Sequence, residues 1–303
     1  MTDNLDWNVA VYCVNEATRL QGCLDSILVA LAGHRALVSV ILNGSRDGSL
    51  DIALTAARSG KPVEVFQIAV ADKSNAINQF YHVLRSPARA YAGVDGYAYV
   101  MPGSFDALER RMMTDSHALV LACIGVNGRT VPLAMKETIE VGGRLHGQFH
   151  ALRPSFLDRM VARGIRLPVG LYRGDGLIGS MAAHDLDPIT QPWDNTRLPG
   201  IADARFAIPS LSILKPHDLQ RQFRRKVRQM RGIIENAAIK SIIYKAGYEG
   251  LPLDCNDMLQ DYLATHGIPK VPIIDRIFMH LVVNQIASAP RLKMQDLAAG
   301  RIY

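Results

Sequence analysis

Cysteine is scarce in this sequence, with four among 303 residues, and tryptophan is scarcer still at two. Cys13, Cys23, Cys123 and Cys255 lack the spacing of a metal finger, and Cys13 and Cys123 sit in apolar runs. That argues against a disulfide scaffold and predicts buried thiols in a reducing compartment. No uninterrupted apolar stretch reaches the length of a membrane span. The first eight residues are acidic and polar rather than a secretory leader. The expected location is therefore cytoplasmic, with peripheral attachment at the inner face of the membrane left open. Low-complexity segments and clear repeats are missing too. Acidic residues are in deficit, 28 Asp and Glu against 34 Lys and Arg, for a net charge of +6. A positive excess favours an anionic partner, whether a nucleotide, a nucleic acid or an anionic membrane surface.

What remains is an ordinary globular balance, 49% hydrophobic and 20% charged, in a chain long enough for a sizeable core. Apolar runs predict strands at residues 9–14, 38–42, 63–68 and 96–101. Between them, helical spacing predicts helices at 18–31, 49–58 and 74–84. In the first of these, Leu20, Leu24, Ile27, Leu28 and Leu31 share one face. Strands alternating with helices imply an α/β fold, a mostly parallel sheet with helices on both faces. The middle is less regular, with strands read at 119–124, 131–135 and 149–152 and a helix at 154–163. From about residue 216 the pattern turns helical and basic. The expected organisation is a first domain over 1–215, divisible at about residue 100, and a helical C-terminal extension over 216–303.

Ligands in such sheets bind beyond the carboxyl ends of the strands. The polar clusters there carry the chemistry. The first strand stops at Asn15-Glu16, and the second at Asn43-Gly44-Ser45 with Asp47-Gly48-Ser49 behind it. Each also reads as a plain turn and helix cap. Asp72-Lys73-Ser74-Asn75 opens the third helix, where a lysine beside free backbone N–H groups suits a phosphate. The alternative is a solvated lysine with surface amides, although Asn78 falls among apolar Ala76, Ile77 and Phe80 and favours a functional amide. Asp95-Gly96-Tyr97 ends an apolar stretch. Strand alternation puts His146, Gln148 and His150 on one face. Asp175 precedes the apolar segment 177–183 and reads either as a helix cap or as a general base. Six cations crowd one helix, Arg221, Arg224, Arg225, Lys226, Arg228 and Arg231, with no acid among them.

In order and spacing, these motifs resemble the family 2 glycosyltransferases, inverting sugar transferases of GT-A fold. The resemblance runs over roughly residues 8 to 225. It implies a nucleotide-diphosphate sugar donor, UDP-linked by default, held by Asn15, Glu16, Asn43, Lys73, Asn75 and Asp95. It implies Asp175 as the base that takes the proton of an unknown glycan, lipid-linked or other acceptor. Gln148 and His150 would face the acceptor, and Gln222 and Arg225 would close over acceptor or diphosphate. Where the family places Asp-x-Asp, the second acid is Tyr97, so a divalent metal, Mg²⁺ or Mn²⁺, is implied at Asp95 alone. Leu42 and Gly174 replace two further acids of the pattern.

Those departures support a rival reading, a non-catalytic GT-A scaffold that binds a nucleotide or glycan. Nucleic acid is not the expected partner. The basic helix has no interleaved aromatics beyond Phe223 and belongs to no recognisable nucleic-acid module.

Overall fold

A computed structural model describes residues 4–127, 137–208, 217–290 and 292–303. The strand read at 131–135 lies outside the described residues. The first half alternates as the periodicity predicts. It runs β1 (Leu5–Cys13), α1 (Leu20–Ala30), β2 (Ala36–Asn43), α2 (Ser49–Arg58), β3 (Val63–Ile68) and α3 (Lys73–Gln79). A π-helical turn, Phe80–Leu84, extends α3. The fourth strand is β4 (Ala88–Asp95), upstream of the expected 96–101, where only the two-residue β5 (Tyr99–Val100) forms. Then follow α4 (Ser104–Thr114), β6 (Val120–Gly125), β7 (Phe149–Leu152), α5 (Pro154–Ala162), α6 (Gly174–Ala183) and β8 (Gly200–Ala207).

The nine strands form one mixed sheet in the order β5-β8-β6-β7-β4-β1-β2-β3-β9. Strands β4, β1, β2 and β3 are parallel neighbours, so their carboxyl ends share one edge. Strands β7 and β9 join this block antiparallel on its two sides. The alternation of β1 divides the core. Trp7, Val9, Val11 and Cys13 face the layer that holds α1, α2 and α4, while Ala10 and Tyr12 face the opposite layer. In the first layer, edge-on contacts link Trp7 to Phe105 at 5.0 Å and Phe105 to Phe149 at 5.5 Å. All four cysteines are buried and unbridged.

The C-terminal region is helical as expected: α7 (His217–Ala246), α8 (Cys255–His266) and α9 (Arg276–Ala287). These helices have no separate core. Met230, Ile234, Met258, Met279 and Val282 belong to the same apolar cluster as Ala10 and Tyr12 of β1. After them the chain returns to the sheet as β9 (Ala299–Arg301), which pairs with β3. Among the described residues, no helix is long and apolar enough to cross a membrane.

Candidate functional site

A cavity of about 660 Å³ opens at the carboxyl ends of β1, β2 and β4. Its walls bring together Glu16, Asn43, Lys73, Asp95, Gln148 and Asp175, six of the residues singled out in the sequence. They converge from six separate segments because the parallel strands stop on one edge and α3 and α6 start there.

The clusters that end β1 and β2 fasten to each other. The Asn15 backbone N–H donates to Ser45 Oγ at 3.2 Å, and the Arg46 N–H donates to Asn15 Oδ1 at 2.8 Å. The Glu16 N–H donates to Ser49 Oγ at 3.0 Å, and the Ala17 N–H donates to Asp47 Oδ2 at 2.9 Å. Asn15, at φ 52°, takes the left-handed turn that this exchange needs. Its side chain braces a loop and does not line the cavity, whereas Glu16 does, ion-paired with Arg19 at 3.0 Å. Asn43 lines the cavity too, with Oδ1 accepting the Asp72 N–H at 2.9 Å.

Helix α3 ties the cavity to the segment that precedes α6. Asp72 caps it by accepting the Asn75 N–H at 2.7 Å, and its other oxygen accepts the Gly170 N–H at 2.7 Å. Burial is the largest influence on the Asp72 carboxyl and raises its pKa. Lys73 then enters the cavity, ion-paired with Asp95 Oδ1, and donates to the Gly147 carbonyl at 3.2 Å. The next residues are clamps. Ser74 Oγ donates to the Leu171 carbonyl at 3.0 Å, and the Asn75 amide donates to the Leu297 carbonyl at 2.9 Å. Asn78 exchanges two hydrogen bonds with the backbone of Leu167, at 2.8 and 2.9 Å. Asn75 and Asn78 are both buried and neither lines the cavity. They hold the 165–171 segment and residue 297, not a ligand.

Tyr97, which stands where a second acid was sought, donates its hydroxyl to Asp95 Oδ2 at 2.9 Å and meets the Gln148 side chain. Burial first, then the Asp95 charge, raises the Tyr97 pKa, so it remains a neutral donor. Both Asp95 oxygens thus have partners, and among the described residues no three metal-binding side chains converge. A divalent ion fits this site only through Asp95 together with phosphate oxygens of a ligand.

His150 does not face the cavity. It is buried in β7 opposite Gly93 of β4, neither ring nitrogen has a partner, and burial lowers its pKa to about 3. Alternation fails as a guide because the strand begins at Phe149, so His146 and Gln148 lie before it. His146 instead meets Thr138 Oγ1 at 3.1 Å. Gln222 and Arg225 fall on α7, and their side chains lie outside the described residues.

Asp175 sits in the first turn of α6, a favourable place for a carboxylate. Its Oδ1 accepts the Gly176 N–H at 2.9 Å, and Oδ2 lies 3.1 Å from where a side chain at Gly147 would start. Sequence reasoning missed Arg173, the residue preceding α6, and Tyr172, which stacks under Arg228 at 5.5 Å. Arg173, Tyr172 and Arg228 all line the cavity. The crowded basic helix was the available signal. Its apparent self-repulsion is relieved by an acid distant in sequence and by one a turn further along the helix: Lys226 pairs with Asp275 at 2.8 Å, and Arg231 with buried Glu235 at 2.9 Å.

No family model matches the sequence, and no curated protein matches it. Solved structures do. The mannosyltransferase PcManGT from Pyrobaculum calidifontis, in complex with GDP-Man and Mn²⁺, superposes with a TM-score of 0.56 at 14% identity, covering 94% of this chain and 81% of that one. S. aureus TarS 1-349 gives a TM-score of 0.57 at 17% identity, over 93% and 80% of the two chains. Its complex with UDP-GlcNAc gives 0.54 at 16% identity, with the same coverage. The order of strands, the rim cavity and these superpositions agree on the architecture: this chain has the GT-A fold of glycosyltransferases.

Proposed function

We propose that this protein is an inverting glycosyltransferase that uses a nucleotide-diphosphate sugar. One observation carries the reading. Asp95, Lys73 and Asp175, distant in sequence, border a single cavity of about 660 Å³ on the ligand-binding rim of a GT-A sheet. Structural neighbours solved with GDP-Man or UDP-GlcNAc support a donor of that class. A UDP sugar is the default, with the Asn43 region at the base and Asp95 at the ribose.

In the reaction, Asp175 takes the proton of an acceptor hydroxyl while that oxygen attacks the anomeric carbon from the face opposite the diphosphate. The carbon–oxygen bond to the diphosphate breaks, and its electron pair leaves with the diphosphate. Lys73, Arg173 and Arg228 line the cavity and stabilise that charge. A Mg²⁺ or Mn²⁺ bound by Asp95 and the diphosphate would supply further charge neutralisation.

The test is paired. Donor sugars should raise the melting temperature of the wild type and of Asp175→Asn alike. Turnover in the variant should fall by at least about a hundredfold, the usual scale for loss of a general base. An Asn in the first turn still accepts the Gly176 N–H, so stability should hold. Donor binding with no hydrolysis or transfer in the wild type would instead support the non-catalytic scaffold.

The location we propose is cytoplasmic, docked on an anionic bilayer. In the turn just before α9, Ile273 and Ile274 are 79% and 80% exposed, with Ile277 of α9 beside them. Exposed Lys270 and Arg276 flank this apolar tip, and cations beside an apolar wedge match an anionic headgroup layer.

A further inference from the structure

A second groove, of about 300 Å³, runs between α6 and the middle of α7. Two half-exposed aromatic rings stand in it, Trp193 at 48% and Tyr244 at 50%. Neither is loose. Trp193 Nε1 donates to Asn195 Oδ1 at 2.6 Å. Buried His184 meets both rings at right angles, its centroid 5.4 Å from Trp193 and 6.0 Å from Tyr244. His184 is itself fixed, since its Nδ1–H donates to the Gln191 carbonyl at 2.8 Å. Two half-exposed aromatic rings, each braced against His184, form a stacking platform rather than leftover core.

The polar groups around the platform are one-sided. Arg173, Lys240 and Asn236 line the groove, and among the described residues no acid does. Arg173 lies across α7 at Gly232, where a side chain would start only 2.6 Å from its Nε. The missing side chain is what lets the guanidinium rest there. Arg173 and Gly176 also line the larger cavity, so the two spaces adjoin at the turn that carries Asp175.

We propose that this groove is an acceptor subsite for a saccharide bearing an anionic group, phosphate or carboxylate. The proposal rests on the glycosyltransferase reading and specifies its acceptor class. The apolar face of a sugar ring lies on Trp193 and Tyr244, its hydroxyls reach Asn236, and the anion meets Lys240. A ring so placed has its neighbouring residue, with the hydroxyl to be glycosylated, at the Arg173–Gly176 ridge beside Asp175.

The two tryptophans make the test direct, because Trp7 is only 1% exposed and acrylamide quenching therefore reports on Trp193. The full chain is titrated with hexose phosphates, with galacturonate oligomers and with uncharged maltooligosaccharides, each at millimolar concentration. Phosphate or carboxylate sugars should shield Trp193, and uncharged sugars should shield it more weakly. Lys240→Glu should weaken the anionic sugars by roughly tenfold, and Tyr244→Ala should weaken every sugar that binds. Donor-induced thermal shift and donor hydrolysis should stay at wild-type levels in both variants. Donor binding without shielding by any sugar overturns the subsite and leaves the glycosyltransferase reading standing. Shielding that survives both substitutions, or that is equal for charged and uncharged sugars, also overturns it. Failure of donor binding in the wild type overturns the reading beneath it.

Discussion

Replacing Asn78 with alanine tests whether α3 holds the base-bearing segment in place. Asn78 is 2% exposed, and its amide answers both backbone groups of Leu167, which is itself buried. Alanine leaves one N–H and one carbonyl in the core without partners. Each such orphan costs about 1–3 kcal/mol, so the pair costs roughly 2–5 kcal/mol, a large share of a typical stability of about 5–15 kcal/mol. At about 2–4 °C per kcal/mol for a chain of this size class, the melting temperature should fall by roughly 5–15 °C. Scanning calorimetry at neutral pH reads this directly. The segment that Asn78 holds continues through Leu171, bonded by Ser74, to Asp175. Below its melting temperature, the variant should therefore lose more in kcat than in donor affinity, because Lys73 stays on its own turn of α3. A fall of less than about 2 °C, worth under about 1 kcal/mol, would show that Leu167 has other partners such as water and that the clamp is dispensable.

Metal dependence should be partial: chelator should lower activity without abolishing it, and Arg228→Ala should make the remainder far more sensitive to chelator. Full loss in chelator, restored by micromolar Mn²⁺, would point to a complete metal site that Asp95 does not reveal. Stability should also decline in acid. His150 stays neutral in the fold down to about pH 3, whereas in the unfolded chain it protonates near its ordinary value of 6.5. The unfolded state therefore binds the extra proton between those values, and stability falls as pH drops through that window, by at most about 1.4 kcal/mol per unit for this group. Denaturant titrations at pH 7 and 5 should show that slope, and His150→Phe should flatten it. Finally, Ile273→Ser with Ile274→Ser should release the protein from phosphatidylglycerol vesicles in a sedimentation assay while leaving donor hydrolysis unchanged. Co-sedimentation equal to that of the wild type would rule out the isoleucine tip as the anchor.

The alternation of the first half was legible because β1, β2 and β3 are predominantly apolar and almost wholly buried, as strands covered on both faces should be. Strand β4 was not. Its sequence, ARAYAGVD, is rich in Ala and Gly, which are poor strand formers in isolation. The small residues are there for packing: a side chain at Gly93 would start 2.7 Å from the His150 ring. The lining of the candidate site was legible where a strand ends or a helix starts, as at Glu16, Asn43, Lys73, Asp95 and Asp175. It was illegible where polar residues act on backbone far away in sequence, as Asn75 and Asn78 do. Nothing local distinguishes an amide that clamps a distant carbonyl from one that waits for a ligand. Arg173 and Tyr172 were hidden for the opposite reason. Their value lies in which cavity α7 and the start of α6 border, and periodicity says nothing of that.

The return of residues 297–303 to the sheet has a consequence for how the molecule is made. Val65 of β3 donates its N–H to the Tyr303 carbonyl at 3.0 Å and accepts from the Ile302 N–H at 2.8 Å, and Asn75 reaches Leu297 across a separation of 222 residues. During synthesis, β1 to β4 emerge long before the segment that covers β3. For that interval β3 is a bare edge with unpaired N–H and carbonyl groups, a template for pairing with another nascent chain. Closure must also await contacts of very long sequence separation, which form slowly. The vulnerable period of this protein is therefore set by translation, and its yield should depend on how quickly the final strand reaches the ribosome exit after the first four.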